Sequence, residues 1–330
     1  MGRSIEASNR SDSNDGGRMG VVRWEEHVAV LQEACDALGI GRGRAGKLTR
    51  LIGEFFEETK WSRDHGLAAN ESFEITDIYR LWRPHWDRFP GLKERIAKCL
   101  RKGPVVAEQE RPGAASNRPR NQAFVYFLAG RLIWAGVEVM AVDGIPPDVS
   151  HGGRPPDVLL DWKGERIVVE CKRPQGPRSV NSCVRRGASQ IRERGAPGIV
   201  ALDCSRVIRP MSTEGSALYT RSPVAALRHL EACLLQLLDT IPKPSPDSRV
   251  LGIELIARVP TVEARESTVV SPTGGAYTLL RPVSIYPEVV WYDTRVPGSD
   301  AVAEIWHQVA TRVAAGDQWP MATRARCEEA

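Results

Sequence analysis

The fold is decided by the stretch PPDVLLDWKGERIVVECK, residues 155–172, which predicts a β-hairpin. Lys163-Gly164 has the composition of a two-residue hairpin turn, and with that turn Asp157 lies directly opposite Glu170. The residues between the turn and these two acids form continuous apolar runs. Such runs are typical of strands that helices cover on both faces, so we expect the hairpin to be central in a sheet.

The hairpin register brings three charged side chains to one face. Side chains alternate along a strand, so Glu170 and Lys172 point to the same side, and cross-strand pairing adds Asp157. Two adjacent carboxylates repel each other unless a cation offsets their charge. Mg²⁺ suits this place, because one or two carboxylates, a backbone carbonyl, waters and a substrate phosphate complete its shell. The pattern predicts metal-assisted hydrolysis of a phosphodiester, with Lys172 acting on the attacking water.

Two other interpretations of these charged residues are open. Glu170 and Lys172 can form an ion pair on an exposed sheet face, with Asp157 only ending the turn after the two prolines. Asp161 is a rival metal ligand, but it lies about 13 Å along the strand from Asp157 and opposite Arg166. We therefore expect Asp161 to form a cross-strand salt pair.

Pro156-Asp157 followed by Glu170-Cys171-Lys172 resembles the motif of the PD-(D/E)XK nuclease superfamily, whose members have a restriction-endonuclease-like fold. The resemblance covers residues 118–205. It implies a helix, three antiparallel strands, a second helix and a fourth strand. It also implies that the two acids and the Cys171 carbonyl bind Mg²⁺, which Mn²⁺ can replace, and that the lysine assists the water. DNA is the implied substrate, and RNA stays an alternative.

Three positions bear on how far the resemblance extends. Many members carry an acid in the first core helix, where this chain has Asn121 and Gln122. This departure keeps a second function open, that of a catalytically silent relative that binds nucleic acid or a protein. Gln190 resembles a glutamine that some branches carry on the helix after the lysine, so we include it among the catalytic residues. The alternative for Gln190 is an exposed helix glutamine with no role.

Basic residues surround the acids and predict a polyanionic partner. The candidate nucleic-acid-binding residues are Arg173, Arg178, Arg185, Arg186 and Arg194. Phosphate contacts supply most non-specific affinity for nucleic acid. A solvated helix face is the alternative for any one of these arginines. The whole chain has a net charge of +4 and a pI of about 8.7, so global charge alone does not identify a nucleic-acid-binding protein.

Hydrophobic periodicity predicts an all-helical region followed by a region of mixed strands and helices. For this α/β region the resemblance implies a restriction-endonuclease-like core, a central mixed sheet flanked by helices. Helices are expected at 24–38, 48–60, 75–86, 91–100, 121–134, 180–194, 223–240 and 301–314. Strands are expected at 137–141, in the hairpin, and at 198–203, 249–259 and 287–292, with a turn at 273–275.

Composition divides the chain into four parts. They are a disordered tail (1–20), a helical module (21–107), a linker rich in Pro and Arg (108–120), and a nuclease-like domain with a carboxyl-terminal extension (121–330). Residues 41–47 match G-x-G-x-x-G, but no strand precedes them, and Leu48 stands where a phosphate loop needs Ser or Thr. We interpret 41–47 as a flexible basic connection between helices.

Cysteine, histidine and hydropathy patterns exclude several classes of protein. The seven cysteines include no C-x-x-C pair and the six histidines show no ligand spacing, so neither a disulfide framework nor a zinc site is predicted. No apolar run has membrane-spanning length, and the start lacks a signal-peptide core. We expect a cytoplasmic enzyme without membrane contact, acting alone, as a homodimer or with a partner protein. Defence against foreign DNA is the first choice of process.

Overall fold

The computed structural model describes residues 24–57, 63–101, 118–145, 155–208, 218–220, 223–245, 248–270 and 276–314. Its helices are α1 (Trp24–Leu38), α2 (Arg42–Glu57), α3 (Arg63–Trp82), α4 (Leu92–Arg101), α5 (Arg118–Trp134), α6 (Pro177–Arg194), α7 (Ser205–Ile208), α8 (Pro223–Asp239) and α9 (Asp300–Ala314), with a 3₁₀ helix at Arg83–Arg88. Its strands are β1 (Glu138–Val142), β2 (Val158–Trp162), β3 (Glu165–Lys172), β4 (Gly198–Asp203), β5 (Leu218–Thr220), β6 (Val250–Ile256), β7 (Val259–Val270), β8 (Ala276–Ile285) and β9 (Glu288–Tyr292).

Six strands form one mixed sheet in the order β1-β2-β3-β4-β6-β9. The strands β1, β2 and β3 pair antiparallel, β3, β4 and β6 pair parallel, and β9 is antiparallel to β6. Parallel neighbours require a crossover connection, which contains α6 between β3 and β4 and α8 between β4 and β6. The chain is therefore α/β, with a mixed sheet flanked by helices and a helical region before it.

The hairpin that the sequence predicts is formed by β2 and β3. These strands pair about Lys163-Gly164, and Asp161 faces Arg166 as expected. Lys163 and Gly164 have φ angles of 55° and 87°, and a two-residue type I′ turn requires positive φ at both positions. Asp161 Oδ1 accepts a hydrogen bond from Gly164 N at 2.9 Å, so the Asp161 carboxylate stabilises the turn.

Apolar side chains cover both faces of the sheet. One face packs against α5 and α9. The other face, which includes Val168 and Val200, packs against α6 and α8. Gly187 lets α6 approach β4 closely, because a Cβ at this position would lie 2.8 Å from Val200 Cγ1. Charged residues on the α6 face of β3 therefore lie beneath a closely packed helix.

The amino-terminal helices share one apolar core with the α5 face of the sheet. Trp82 at the end of α3 is buried, and its Nε1 donates a hydrogen bond to Tyr126 O in α5 at 2.7 Å. Gly130 of α5 lies against Leu81, where a Cβ would come within 2.8 Å of the leucine Cβ. The helical region is thus fixed against the sheet through α3 and α5.

The segment at residues 41–47 differs from the expectation of a flexible connection. Helix α2 begins at Arg42, so most of the segment is helical. Arg44 gives a physical reason, because its Nη1 donates to Leu100 O at 2.5 Å and its Nε pairs with Glu71. These tertiary contacts stabilise a glycine-rich helix start that intrinsic propensity disfavours.

The boundary of the expected linker also differs. Helix α5 begins at Arg118, three residues inside the range 108–120. Residues 102–117 lie outside the described part of the chain, as do the tail at 1–20 and the turn at 273–275.

A second sheet was not predicted from the sequence. Strands β7 and β8 form an antiparallel hairpin, and β5 joins it in the order β5-β7-β8. The expected strand at 249–259 corresponds to β6 and only the first residue of β7. Polar residues interrupt the rest of β7, among them Glu263, Arg265 and Glu266, so no apolar run marked this strand.

Candidate metal and catalytic site

Asp157, Glu170 and Lys172 come together where β2 begins and β3 ends. Val158 faces Val169, so Asp157, directly before β2, lies next to Glu170 across the hairpin. Glu170 and Lys172 alternate with Cys171 along β3 and lie on the α6 side of the sheet, where Val168 packs. The register therefore gathers the two acids and the amine on one face, as expected.

Three oxygens around one ammonium define the candidate site. Lys172 Nζ lies 3.0 Å from Glu170 Oε2, 3.1 Å from Cys171 O and 3.5 Å from Asp157 Oδ2. Cys171 N donates a hydrogen bond to the same Asp157 oxygen at 2.8 Å, which fixes the Asp157 carboxylate against β3. The oxygens expected to bind a divalent cation thus converge on one positive charge. Carboxylate and carbonyl oxygens are the ligands that a hard divalent ion prefers, so this donor set fits such an ion.

Burial separates this cluster from an ordinary surface ion pair. The side chain of Glu170 is 1% exposed, while those of Lys172 and Asp157 are 16% and 19% exposed. The alternative of an ion pair on an exposed sheet face therefore does not describe Glu170. Because Glu170 is buried and Lys172 lies at the edge of solvent, a ligand can reach the cluster only from the solvent side.

Arg194 completes the surroundings of Glu170. Its Nε and Nη2 donate to Glu170 Oε1 at 3.0 and 2.9 Å, and Nη2 also donates to Pro155 O at 3.1 Å. These contacts hold the Arg194 side chain against the sheet and not on an exposed helix face as expected, and its binding of nucleic acid stays a prediction. Arg194 follows the buried Gly187 by seven residues on α6, which returns its side chain to the sheet side of the helix.

Arg173 is also placed away from the surface. Its side chain is 6% exposed, and Nη2 lies 2.7 Å from Asp203 Oδ2. Side-chain alternation explains this placement, because Arg173 follows Lys172 and points to the α5 side of the sheet. The binding of nucleic acid by Arg173 stays a prediction. The other three candidate arginines, Arg178, Arg185 and Arg186, are exposed on α6.

Gln190 lies one helical turn before Arg194 and is half-buried rather than exposed. Its Oε1 is buried and has no hydrogen-bond partner among the residues that the structure describes. Gln190 and Arg194, four residues apart, share the side of α6 from which Arg194 reaches Glu170.

No family model, curated protein or solved structure matches this chain.

Asp143 is an acid near the site that sequence reasoning did not single out. Its backbone N donates to Asp157 O at 2.9 Å, so the two aspartates are neighbours across β1 and β2. The Asp143 side chain, however, accepts hydrogen bonds from Gln122 Nε2 at 3.3 Å and Tyr126 Oη at 3.2 Å, both in α5. Asp143 therefore belongs to the opposite face, and Gln122 serves to hold it there.

A buried charged cluster lies between α3 and the carboxyl ends of the parallel strands. Arg258 Nη2 lies 2.5 Å from Glu74 Oε1, and Arg173 Nη1 lies 3.7 Å from the same oxygen. Asp77 bonds to Tyr286 Oη, and burial raises the pKa of Asp77 to about 7. The cluster ties the helical region to the residue that follows Lys172.

This charged cluster borders a cavity of about 10 Å³, lined by Glu74, Asp203, Ser205 and Arg258 among others. Glu74 Oε2 has no hydrogen-bond partner within the described ranges. The space suffices for about one water, so the cavity is too small for a substrate.

A second buried network lies on the α5 face, near the far edge of the sheet. Arg131 Nη2 is 2.8 Å from Glu288 Oε2, and Trp306 Nε1 donates to Glu288 Oε1 at 2.6 Å. Burial, with the neighbouring Glu288 charge, raises the pKa of Glu254 well above its usual 4.5. Burial alone would also raise the pKa of Glu288, but Arg131 lowers it on balance. Of this carboxyl pair, Glu254 is therefore the member that favours the neutral form, and Glu288 the member that favours the charged form.

Within the described ranges, no cluster of three or more His, Cys, Asp or Glu side chains is arranged to hold a metal ion. At the candidate site, the groups that could bind a metal ion are therefore the carboxylates of Asp157 and Glu170 and the carbonyl of Cys171. In the same part of the chain, no helix combines the length and apolar character needed to cross a bilayer.

Proposed function

We propose that the chain is a Mg²⁺-dependent nuclease of the PD-(D/E)XK type that hydrolyses phosphodiester bonds of DNA. The observation that carries this proposal is the convergence of Asp157 Oδ2, Glu170 Oε2 and Cys171 O on Lys172 Nζ. The order of elements α5-β1-β2-β3-α6-β4 supports it, because a restriction-endonuclease-like core has this order. We place the enzyme in the cytoplasm, in defence against foreign DNA.

Each residue of the candidate site has a separate proposed role in the reaction. Asp157, Glu170 and the Cys171 carbonyl would hold Mg²⁺, or Mn²⁺ in its place. When bound, the ion would polarise the scissile phosphate and lower the pKa of a water that it binds. Lys172, displaced from the three oxygens, orients the attacking water and donates to the phosphate oxygens. Gln190 Oε1, which lacks a partner among the described residues, can accept a hydrogen bond from the same water.

A direct test is nicking of supercoiled DNA by the purified chain. We expect nicking with Mg²⁺ or Mn²⁺ and none with a chelator. Asp157→Asn removes one ligand charge and should lower the nicking rate by more than about 100-fold, since even changes to outer-shell partners of metal ligands cost 10–100-fold. Asp161→Asn is the matched control, because Asp161 lies in the same strand and bonds to the turn. Equal nicking by Asp157→Asn and the wild type would refute the proposed site.

The substrate contacts are proposed on the outer face of α6. Arg178 and Arg185 are exposed and lie seven residues apart, so they share one face of the helix about 10.5 Å from each other. Arg186 is exposed beside them. Arginines in this arrangement can contact phosphates without reading bases. They would hold DNA or RNA alike, so the preference for DNA rests on the resemblance.

The double substitution Arg178→Gln and Arg185→Gln is expected to weaken DNA binding. It should also make the binding constant fall less steeply as salt increases. Each phosphate contact contributes about 0.9 to the slope of log K against log salt on duplex DNA, so the slope should fall by about 2. Fluorescence anisotropy with a duplex in chelator measures this without cleavage. Arg50→Gln and Arg312→Gln on α2 and α9 form the control pair. A slope equal to that of the wild type would exclude α6 as the phosphate-binding face.

A catalytically silent binding protein is the second candidate function. It is favoured by the charge balance at the site, where Lys172 and Arg194 already offset Asp157 and Glu170. Such a protein would bind DNA, RNA or a partner protein through the exposed arginines. Salt-dependent binding with no nicking under any metal would select this alternative.

A further inference from the structure

Arg194 connects the two segments that carry the acids. It donates two hydrogen bonds to Glu170 in β3 and one to the carbonyl of Pro155, two residues before Asp157. We propose that Arg194 is a positioning residue that aims one Glu170 oxygen at the metal position. The inference rests on the proposed metal-dependent nuclease activity and adds a role that the Pro-Asp and Glu-x-Lys pattern does not contain.

The two oxygens of Glu170 have different partners. Arg194 holds Oε1 through Nε and Nη2, while Oε2 faces Lys172 Nζ, the point shared with Asp157. The terminal torsion of a glutamate side chain is broad and allows the carboxylate to turn. Fixing Oε1 by two donors therefore fixes where Oε2 points. The oxygen left for a cation is the one already aimed at the site.

The position of Arg194 suits a permanent contact. It is the last residue of α6, and the helix ends at Gly195, whose φ of 66° is left-handed. The negative end of the helix dipole favours a cation in the last turn. Only a guanidinium offers several donors in one rigid plane, so lysine cannot reproduce the bonds to Glu170 and Pro155 together. Arg194 remains on Oε1 when Lys172 leaves Oε2.

The positive charge of Arg194 and its geometry have opposite effects on metal binding. As a nearby cation, Arg194 repels a metal ion, so removal of the charge alone would strengthen binding. As a positioning group, it orders the ligand oxygen, so its loss would weaken binding. Substitution of an outer-shell partner of a metal ligand typically lowers metal affinity or activity 10- to 100-fold.

The test measures Mn²⁺ binding to the full chain. The paramagnetic resonance signal of free Mn²⁺ reports the binding, and this measurement does not depend on catalysis. Arg194→Lys keeps the charge and loses the two-donor contact, and Arg194→Gln loses both. We expect both variants to bind Mn²⁺ 10–100-fold more weakly. In the nicking assay the metal concentration for half-maximal rate should rise, with part of the rate recovered at high Mn²⁺. Arg192→Lys, exposed on the same helix and without an assigned role, should behave as the wild type.

Each of the other possible results would contradict the positioning role of Arg194 for a different reason. Wild-type Mn²⁺ affinity in Arg194→Lys, or tighter binding by Arg194→Gln, would show that only charge matters. Failure of both variants to fold, seen in thermal melts, would make Arg194 a structural residue. A wild-type chain that neither binds Mn²⁺ nor nicks DNA would overturn the proposed function itself, and this inference with it.

Discussion

Lys172→Met is expected to lower Mg²⁺-dependent nicking by about 10²–10⁴-fold while the protein binds Mn²⁺ more tightly. The loss of rate follows from removal of the group that serves the attacking water. The gain in metal affinity follows because Lys172 Nζ lies within 3.5 Å of the three oxygens that the ion would use. Removing a competing positive charge at such a distance should strengthen Mn²⁺ binding about tenfold or more.

Single-turnover nicking and Mn²⁺ titration measure the two effects of Lys172→Met separately. Lys163→Met is the matched control, since Lys163 lies in the turn of the same hairpin and pairs with Glu304 at the surface. This control should leave both quantities unchanged. Weaker Mn²⁺ binding by Lys172→Met would mean that Lys172 supports the site rather than occupying the cation position.

Arg131→Met is expected to lower the free energy of unfolding by about 3–5 kcal/mol. Arg131 and Glu288 are both about 1% exposed, and removing one partner of a buried ion pair leaves the other charge without compensation. Trp306 Nε1 would remain on Glu288, but a single neutral donor does not replace the guanidinium. Guanidinium chloride unfolding of the full chain, followed by tryptophan fluorescence, measures the change. A loss below about 1 kcal/mol would contradict the assigned charge state of Glu288.

Glu254→Gln is the matched control for the Arg131 variant. The raised pKa of Glu254 favours its neutral form in the folded chain, so a neutral glutamine preserves that charge state. Because its folded pKa is raised, the wild-type contribution is fully present below pH 4.5 and declines as the pH rises toward that folded value. The Glu254→Gln variant should lack this decline and should be no less stable than the wild type at pH 8.

The hairpin register could be predicted because its determinants are local. The Lys163-Gly164 turn fixes which residues face each other, and the apolar runs on both sides fix the strands. From these two facts the meeting of Asp157 and Glu170 follows. Strand β4 and most helices were recognised for the same reason, since each carries its own apolar pattern.

The partners of the buried charges could not be predicted, because they depend on tertiary structure. Arg173 and Arg194 look like any other arginine in a basic stretch, yet both lie in internal ion pairs. One feature of the sequence could indicate that Arg194 faces the sheet, namely its position relative to the buried stripe of α6. Its use requires knowing that Gly187 faces the sheet. Glu74 is more than a hundred residues from Arg258, so nothing local links them.

The charged cluster between α3 and the strand ends limits how this chain can be recombined. Arg173 and Arg258 extend from the sheet-containing half of the chain into the helical half, and Glu74 is the counter-ion that both share there. If the sheet-containing half were joined to a different helical region, Arg173 would keep Asp203, but both guanidinium groups would lose Glu74 in a buried place. Arg173 directly follows Lys172, so the mismatch would arise one residue from the proposed chemistry. The two halves therefore depend on each other for charge compensation, and exchange of either half alone should destabilise the fold.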